Sequence, residues 1–169
     1  MSATLQRDQV CTLSKSNSKK ALDQARKINE PWFRAQALSW VARFTDGDPV
    51  AIASEAAKAA WQCEDDYKKS AVRAWEIAAL AEREFTTEAR KRLREVLSRI
   101  KGVMPASSRS EALLLLMQAA FKIAQKDAEE VYALLKSSCA PDEHWRCKRA
   151  IRDGEKMISA ELKPQSFFR

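Results

Sequence analysis

From residue 18 to about residue 161, apolar residues recur every three to four positions, the spacing that lines one face of an α-helix. In residues 87–101 the repeating set is Ala89, Leu93, Val96, Leu97 and Ile100, opposite Arg90, Lys91, Arg92, Arg94 and Arg99. This reads as a surface helix. In residues 108–126 the four leucines at 113–116 join Met117, Phe121 and Ile123 around most of the circumference. Only Glu111, Gln118, Lys122 and Gln125 form a polar stripe, so this helix is expected to be the most buried. Residues 49–63 present Ala53, Ala56, Ala57, Ala59 and Ala60, small enough for helix axes to approach to the low end of ~8–10 Å. The heavily charged residues 144–161 suit a helix that closes one end of a stack.

Local signals divide the pattern. Pro31, Pro49, Pro105 and Pro141 fall between apolar segments, where proline does least harm. Asp48 before Pro49 reads as an N-cap, Ser108 with Glu111 and Asp127 with Glu130 as capping boxes, and Thr86, Thr87 and Glu88 as a helix start. Together they predict an all-α fold of eight helices: 18–29, 32–45, 49–63, 67–84, 87–101, 108–126, 127–138 and 144–161. Residues 1–17, rich in Ser, Thr, Gln and Asn, read as a lead-in that is either mobile or a short docking helix. Residues 164–169 form a tail beyond the last helix.

Taken in pairs (18–47, 48–85, 86–126 and 127–163), the helices repeat. The second members align from Arg34 to Ala42, Ser70 to Ala78, Glu111 to Ala119 and Arg146 to Gly154, with endpoints 36, 41 and 35 residues apart. Trp32, Tyr67 and Trp145 stand at three of the four turns where the chain re-enters a helix. Over residues 18–161 the chain resembles the HEAT-like and tetratricopeptide-like helical-repeat families. It lacks the constant 34-residue period of the latter and the paired proline and aspartate of the former. The resemblance implies one domain wound as an α-α superhelix, or α-solenoid, of about four helix pairs. An up-and-down bundle with internal similarity is the alternative.

Composition sharpens the picture mainly by exclusion. Alanine fills 28 of 169 positions, which favours helix. Gly47, Gly102 and Gly154 are the only glycines and lie far apart, so no glycine-rich phosphate cradle exists. A single histidine, His144, excludes multi-histidine metal sites. The longest apolar run, residues 112–117, is far short of the roughly 20 needed to span a bilayer. The N-terminal residues lack a secretory pattern, so the expectation is a cytoplasmic protein with reduced Cys11, Cys63, Cys139 and Cys147.

Two clusters carry candidate chemistry. Cys139, His144 and Cys147 are zinc-ligand types, but a fourth ligand would have to come from elsewhere, Cys63 for example. Packing thiols and a helix-start histidine explain the same residues. Nucleophilic catalysis would have to use His144 with Cys147, one helical turn apart, and nothing else in the chain suggests an oxyanion hole. No catalytic residue, metal or cofactor is assigned. The acidic pairs Asp65-Asp66 and Asp142-Glu143 fit helix starts.

The charge balance is more informative. Lys and Arg number 30 against 23 Asp and Glu, a net +7 with a pI near 9.4. Lys148, Arg149, Arg152 and Lys156 fall within about a 100° arc of the last helix. Arg90, Arg94 and Lys101 make a second stripe, and Lys68, Lys69 and Arg73 a third cluster. Trp32, Tyr67 and Trp145 stand beside Arg34, Lys68 and Arg146. Such pairs hold an anionic peptide or stack bases. Glu95, Asp153 and Glu155 interrupt the stripes, as in an ordinary solvated surface. Trp40, Trp61 and Trp75 are expected to seal seams between repeats, and Phe167 and Phe168 to fold back or enter a partner. The leading expectation is a non-catalytic protein-interaction module for a protein or peptide partner, acidic in character. The alternative is nucleic-acid binding through the basic faces, and an enzyme using His144 and Cys147 stands third. No membrane partner is expected, and the oligomeric state is left open.

Overall fold

The computed structural model describes residues 1–169 and contains ten α-helical segments and no strand. They are α1 (Ala3–Ser14), α2 (Ser18–Arg26), α3 (Pro31–Phe44), α4 (Pro49–Trp61), α5 (Asp66–Ala71), α6 (Arg73–Glu82), α7 (Thr86–Leu97), α8 (Ala106–Phe121), α9 (Gln125–Cys139) and α10 (Trp145–Ile158). Only Val72 separates α5 from α6, so the two act as one bent helix and nine helices pack together. Eight follow the apolar spacing. The ninth, α1, lies in the stretch expected as a lead-in and corrects the expected count. Its signal is faint because only Val10 and Ser14 are buried. Polar contacts dock it: Arg7 donates to Gln36 Oε1 at 2.8 Å and lies over the Phe33 ring at 5.2 Å.

The caps divide by what competes for them. Asp48 accepts from the Val50 and Ala51 N–H groups, and Asp65 from that of Lys68. Neither expected capping box forms, because α8 starts at Ala106 and α9 at Gln125. Glu111 instead receives Arg149, and Asp127 receives both Nε and Nη2 of Arg90 at 2.8 and 2.9 Å. A guanidinium from a neighbouring helix is a stronger donor than a peptide N–H. At the other ends, Glu84 (φ 67°) and Ala160 (φ 64°) adopt the left-handed conformation. The next N–H then reaches back five residues, Phe85 to Leu80 O and Glu161 to Lys156 O, ending α6 and α10.

Helices α1, α3, α5–α6, α8 and α10 form a first layer in which each packs against the next. Helices α2, α4, α7 and α9 form a second layer, each resting most heavily on the first-layer helix that precedes it. The hairpins are therefore α1–α2, α3–α4, α6–α7 and α8–α9, with α10 closing the end. This is one helix out of phase with the pairs read from the sequence. The aromatic turns link successive hairpins instead of lying within them. As its composition suggested, α8 is deeply enclosed, with Leu113, Leu116 and Met117 fully buried. Gly154 lets α10 approach: a Cβ there would stand 3.0 Å from Tyr132 Cδ2 and 3.3 Å from Met117 Sδ.

One polar feature sits inside this packing. Glu76 is 1% exposed and takes both Arg73 and Arg92, the latter at 2.7 Å. Arg92 also donates to Glu88 at 3.0 Å and Ser54 Oγ at 2.7 Å. The charged face of α7 thus turns one arginine inward, contrary to the expected fully solvated stripe. No helix is long and apolar enough to cross a membrane.

Candidate functional site

The first layer brings its helix starts to one side. Trp32 opens α3, Tyr67 lies in α5 and Trp145 opens α10. Trp32 stacks on Tyr67 with ring centroids 6.4 Å apart and meets Trp75 edge-on at 6.0 Å. Tyr67, Ser108, Glu111, Trp145, Arg146 and Arg149 then surround a cavity of about 420 Å³. Four residues chosen from sequence spacing, Tyr67, Trp145, Arg146 and Arg149, converge there.

The cavity is basic and aromatic at once. Trp145 is 60% exposed, with the Arg146 and Arg149 guanidinium carbons 5.4 and 5.3 Å from its ring. Arg149 also donates to Glu111, yet its Nε is buried without a partner. Burial, aided by Glu111, pushes the Tyr67 hydroxyl above its ordinary pKa, so it stays a neutral donor.

A second hollow of about 460 Å³ continues from Tyr67 and Arg149 past Leu114, Leu115 and Gln118. Its far wall is the chain's own C-terminus, through Leu162, Lys163 and Gln165. The Gln165 N–H donates to Gln118 Oε1 at 2.8 Å. Phe167, 4% exposed, meets Trp75 edge-on at 5.5 Å, and Phe168 meets Trp40 at 5.4 Å. One face of the first layer is therefore a groove, open beside Trp145 and filled by the tail beside Trp75 and Trp40. The tail, Trp40, Trp75 and Gln118 were not among the expected site residues. The polar Gln118 within the most apolar helix was the available signal.

The remaining basic candidates disperse. Arg34 donates to Gln62 and to the Ile28 carbonyl at 2.7 Å, clamping a turn. Arg73 is held by Glu76 and by Glu95, Arg90 by Asp127, and Lys148 by Glu143 at 2.7 Å. Arg152 reaches Asp153 at 3.5 Å. Arg94 and Lys156 are exposed and form no ion pair, but neither lines the groove.

Lys69 belongs to a different place. It stands 4.9 Å over the ring of Trp61, which Arg99 also approaches at 4.6 Å. Trp61 is 59% exposed, which corrects its expected role in a seam. It sits in the last turn of α4, beside a cavity of about 510 Å³ that Lys58, Arg73 and Glu95 also line.

Of the metal-type residues, Cys139 and Cys147 are fully buried while His144 is exposed. His144 Nδ1 accepts the Arg146 N–H at 3.1 Å, capping α10. Burial raises the Cys147 thiol above its ordinary pKa, disfavouring the thiolate. No group of three or more His, Cys, Asp or Glu converges as a metal-ligand set. No protein-family model, no curated protein and no solved structure matches the chain, so its own geometry carries the functional argument.

Proposed function

We propose that this chain is a non-catalytic, cytoplasmic protein-interaction module, built as a short α-solenoid, that takes an acidic protein segment in the open half of its groove. The layered contacts, each helix on the next but one, support the solenoid reading. The observation that carries the function is the meeting of Tyr67, Trp145, Arg146 and Arg149 around one exposed cavity. Aromatic and arginine side chains are the residues that most often dominate binding energy at interfaces. Two guanidiniums over one exposed ring favour a carboxylate ligand. The mechanism needs no cofactor.

The test is fluorescence anisotropy with a labelled peptide carrying glutamates around one aromatic residue, and its lysine counterpart as control. Replacing Arg146 and Arg149 together by alanine is expected to weaken binding by about tenfold or more. Arg90→Ala, whose guanidinium is engaged with Asp127, should change nothing. Equal binding of the acidic and lysine peptides would sink the reading.

The Trp61 cavity favours a second reading, single-stranded nucleic acid. Lys58, Lys69 and Arg99 there have no carboxylate partner. Three phosphate contacts give a salt slope near −2, so affinity should fall by about 20-fold between about 50 and 200 mM salt. No binding at the lower salt would dispose of it.

A further inference from the structure

We infer that the filled half of the groove is itself a recognition site for an extended protein segment bearing two adjacent aromatic side chains, and that residues 163–169 hold it as an internal stand-in. The inference rests on the peptide-binding reading of the same groove and names the partner more closely.

The tail makes three contacts, each of a type available to a foreign segment. Gln118, itself 8% exposed, takes a backbone N–H from Gln165. A main-chain bond of this kind demands an extended chain without proline at that position and reads no side chain. Two residues on, Phe167 is buried edge-on to Trp75 of α6. The next residue, Phe168, turns to Trp40 on α3. The requirement is therefore a free N–H followed, two and three positions later, by aromatic rings.

Two further observations separate a stand-in from a permanent part of the core. Beside Trp40 and Trp75 lies an open hollow of about 290 Å³, lined also by Arg7, Asp8, Cys11, Gln36 and Arg169. The end of the tail thus borders open space, so a segment that runs on past the second ring has room to continue. Outside its two rings the tail is anchored by a single hydrogen bond, from Gln165 to Gln118. Lys163, Gln165, Ser166 and Arg169 are exposed, and none of them forms an ion pair. Continuity with the open half sets the direction. Residues preceding the aromatic pair run towards Tyr67 and Arg149, so a partner's acidic residues belong on the N-terminal side of its aromatics.

The experiment uses a labelled synthetic peptide of residues 163–169 against the full chain and against the full-length double variant Phe167→Ser, Phe168→Ser. A tethered tail acts at an effective concentration in the millimolar range. The peptide should therefore bind the double variant at least about tenfold more tightly than the wild type, and Trp75→Ala added to that variant should abolish binding. Circular dichroism establishes that the variants are folded. A folded double variant that ignores the peptide overturns the inference, as does equal binding to both chains. If the double variant does not fold, the wild type decides by hydrogen exchange. A large excess of the same peptide should strip protection from the tail, and unchanged protection overturns the inference. A concentration-dependent dimer with exchanged tails would also overturn it, by making a second copy the occupant. Because this peptide lacks acidic residues, its binding stands or falls separately from the acidic preference assigned to the open half.

Discussion

Glu76→Gln is a substitution of large predicted effect that leaves the groove untouched. The carboxylate is buried to 1% and receives two arginines whose side chains are only 11% and 8% exposed. Breaking a buried pair by removing one partner costs about 3–5 kcal/mol, because the remaining charge keeps its desolvation penalty. Here two charges are stranded, and they repel each other. Partial compensation places the loss at the lower end: Arg92 keeps Glu88 and Ser54, and Arg73 keeps Glu95 at 3.3 Å. The expected loss is about 3 kcal/mol, which for a chain of this length lowers Tm by about 6–12 °C. Urea unfolding followed by far-UV circular dichroism at neutral pH measures it. The midpoint should fall while the slope stays fixed. Replacing Glu76 and Arg92 together by methionine should recover part of the loss, since apolar groups can substitute for a buried pair. A loss below about 1 kcal/mol for Glu76→Gln would refute the reasoning, because the arginines would then be finding water.

Three smaller effects follow from other sites. Burial pushes the Cys63 thiol up to about 11, cutting its thiolate at pH 8 by about 90-fold; greater nucleophilicity returns about 8-fold, so iodoacetamide should react about tenfold more slowly than with an unburied thiol. A rate equal to that of an unburied thiol would contradict that burial. Glu84→Gly should raise stability by about 0.5–1 kcal/mol, since φ 67° burdens any side chain and glycine adopts it freely. Thermal melts that show a loss would count against it. Arg26 donates to Glu55 at 2.9 and 2.7 Å and holds its carboxyl below the ordinary value. The pair's contribution is thus present above the usual carboxylate range and disappears as pH falls through the lowered folded value. Glu55→Gln should cost about 0.5 kcal/mol at pH 7 and progressively less as pH falls through that lowered value; a cost that does not shrink in acid would remove the ionic explanation.

Helices such as α7 and α8 were legible because periodicity is a local property, and Leu93 or Leu116 announces its face within one or two turns. Helix α1 was not, since a segment docked through Arg7 and Gln36 carries little apolar rhythm. The phase of the hairpins also escaped, because which of two turns lies inside a pair depends on contacts between helices. The same holds for the site. Trp32, Tyr67 and Trp145 could be chosen because equivalent turns bring equivalent positions to one edge. The fates of Arg90 and Arg149 could not, for their partners lie 37 and 38 residues away. The meeting of Gln165 with Gln118 spans 47 residues and has no local signature at all.

The path of the tail has a consequence for how the molecule comes apart. Helices stacked in a row touch mainly their neighbours, and such rows fray from their ends in small cooperative steps. Residues 165–169 run against that grain. Leaving α10, they touch α8 at Gln118, α6 at Trp75 and α3 at Trp40, reaching the hollow bounded by α1 at Arg7. They form a chord across the row, so lifting the last helix away also draws Phe167 and Phe168 off Trp75 and Trp40. With the chord in place, opening at either end is felt at the other and the stack melts as one foldon. A ligand that displaces it would hold a protein whose ends breathe independently.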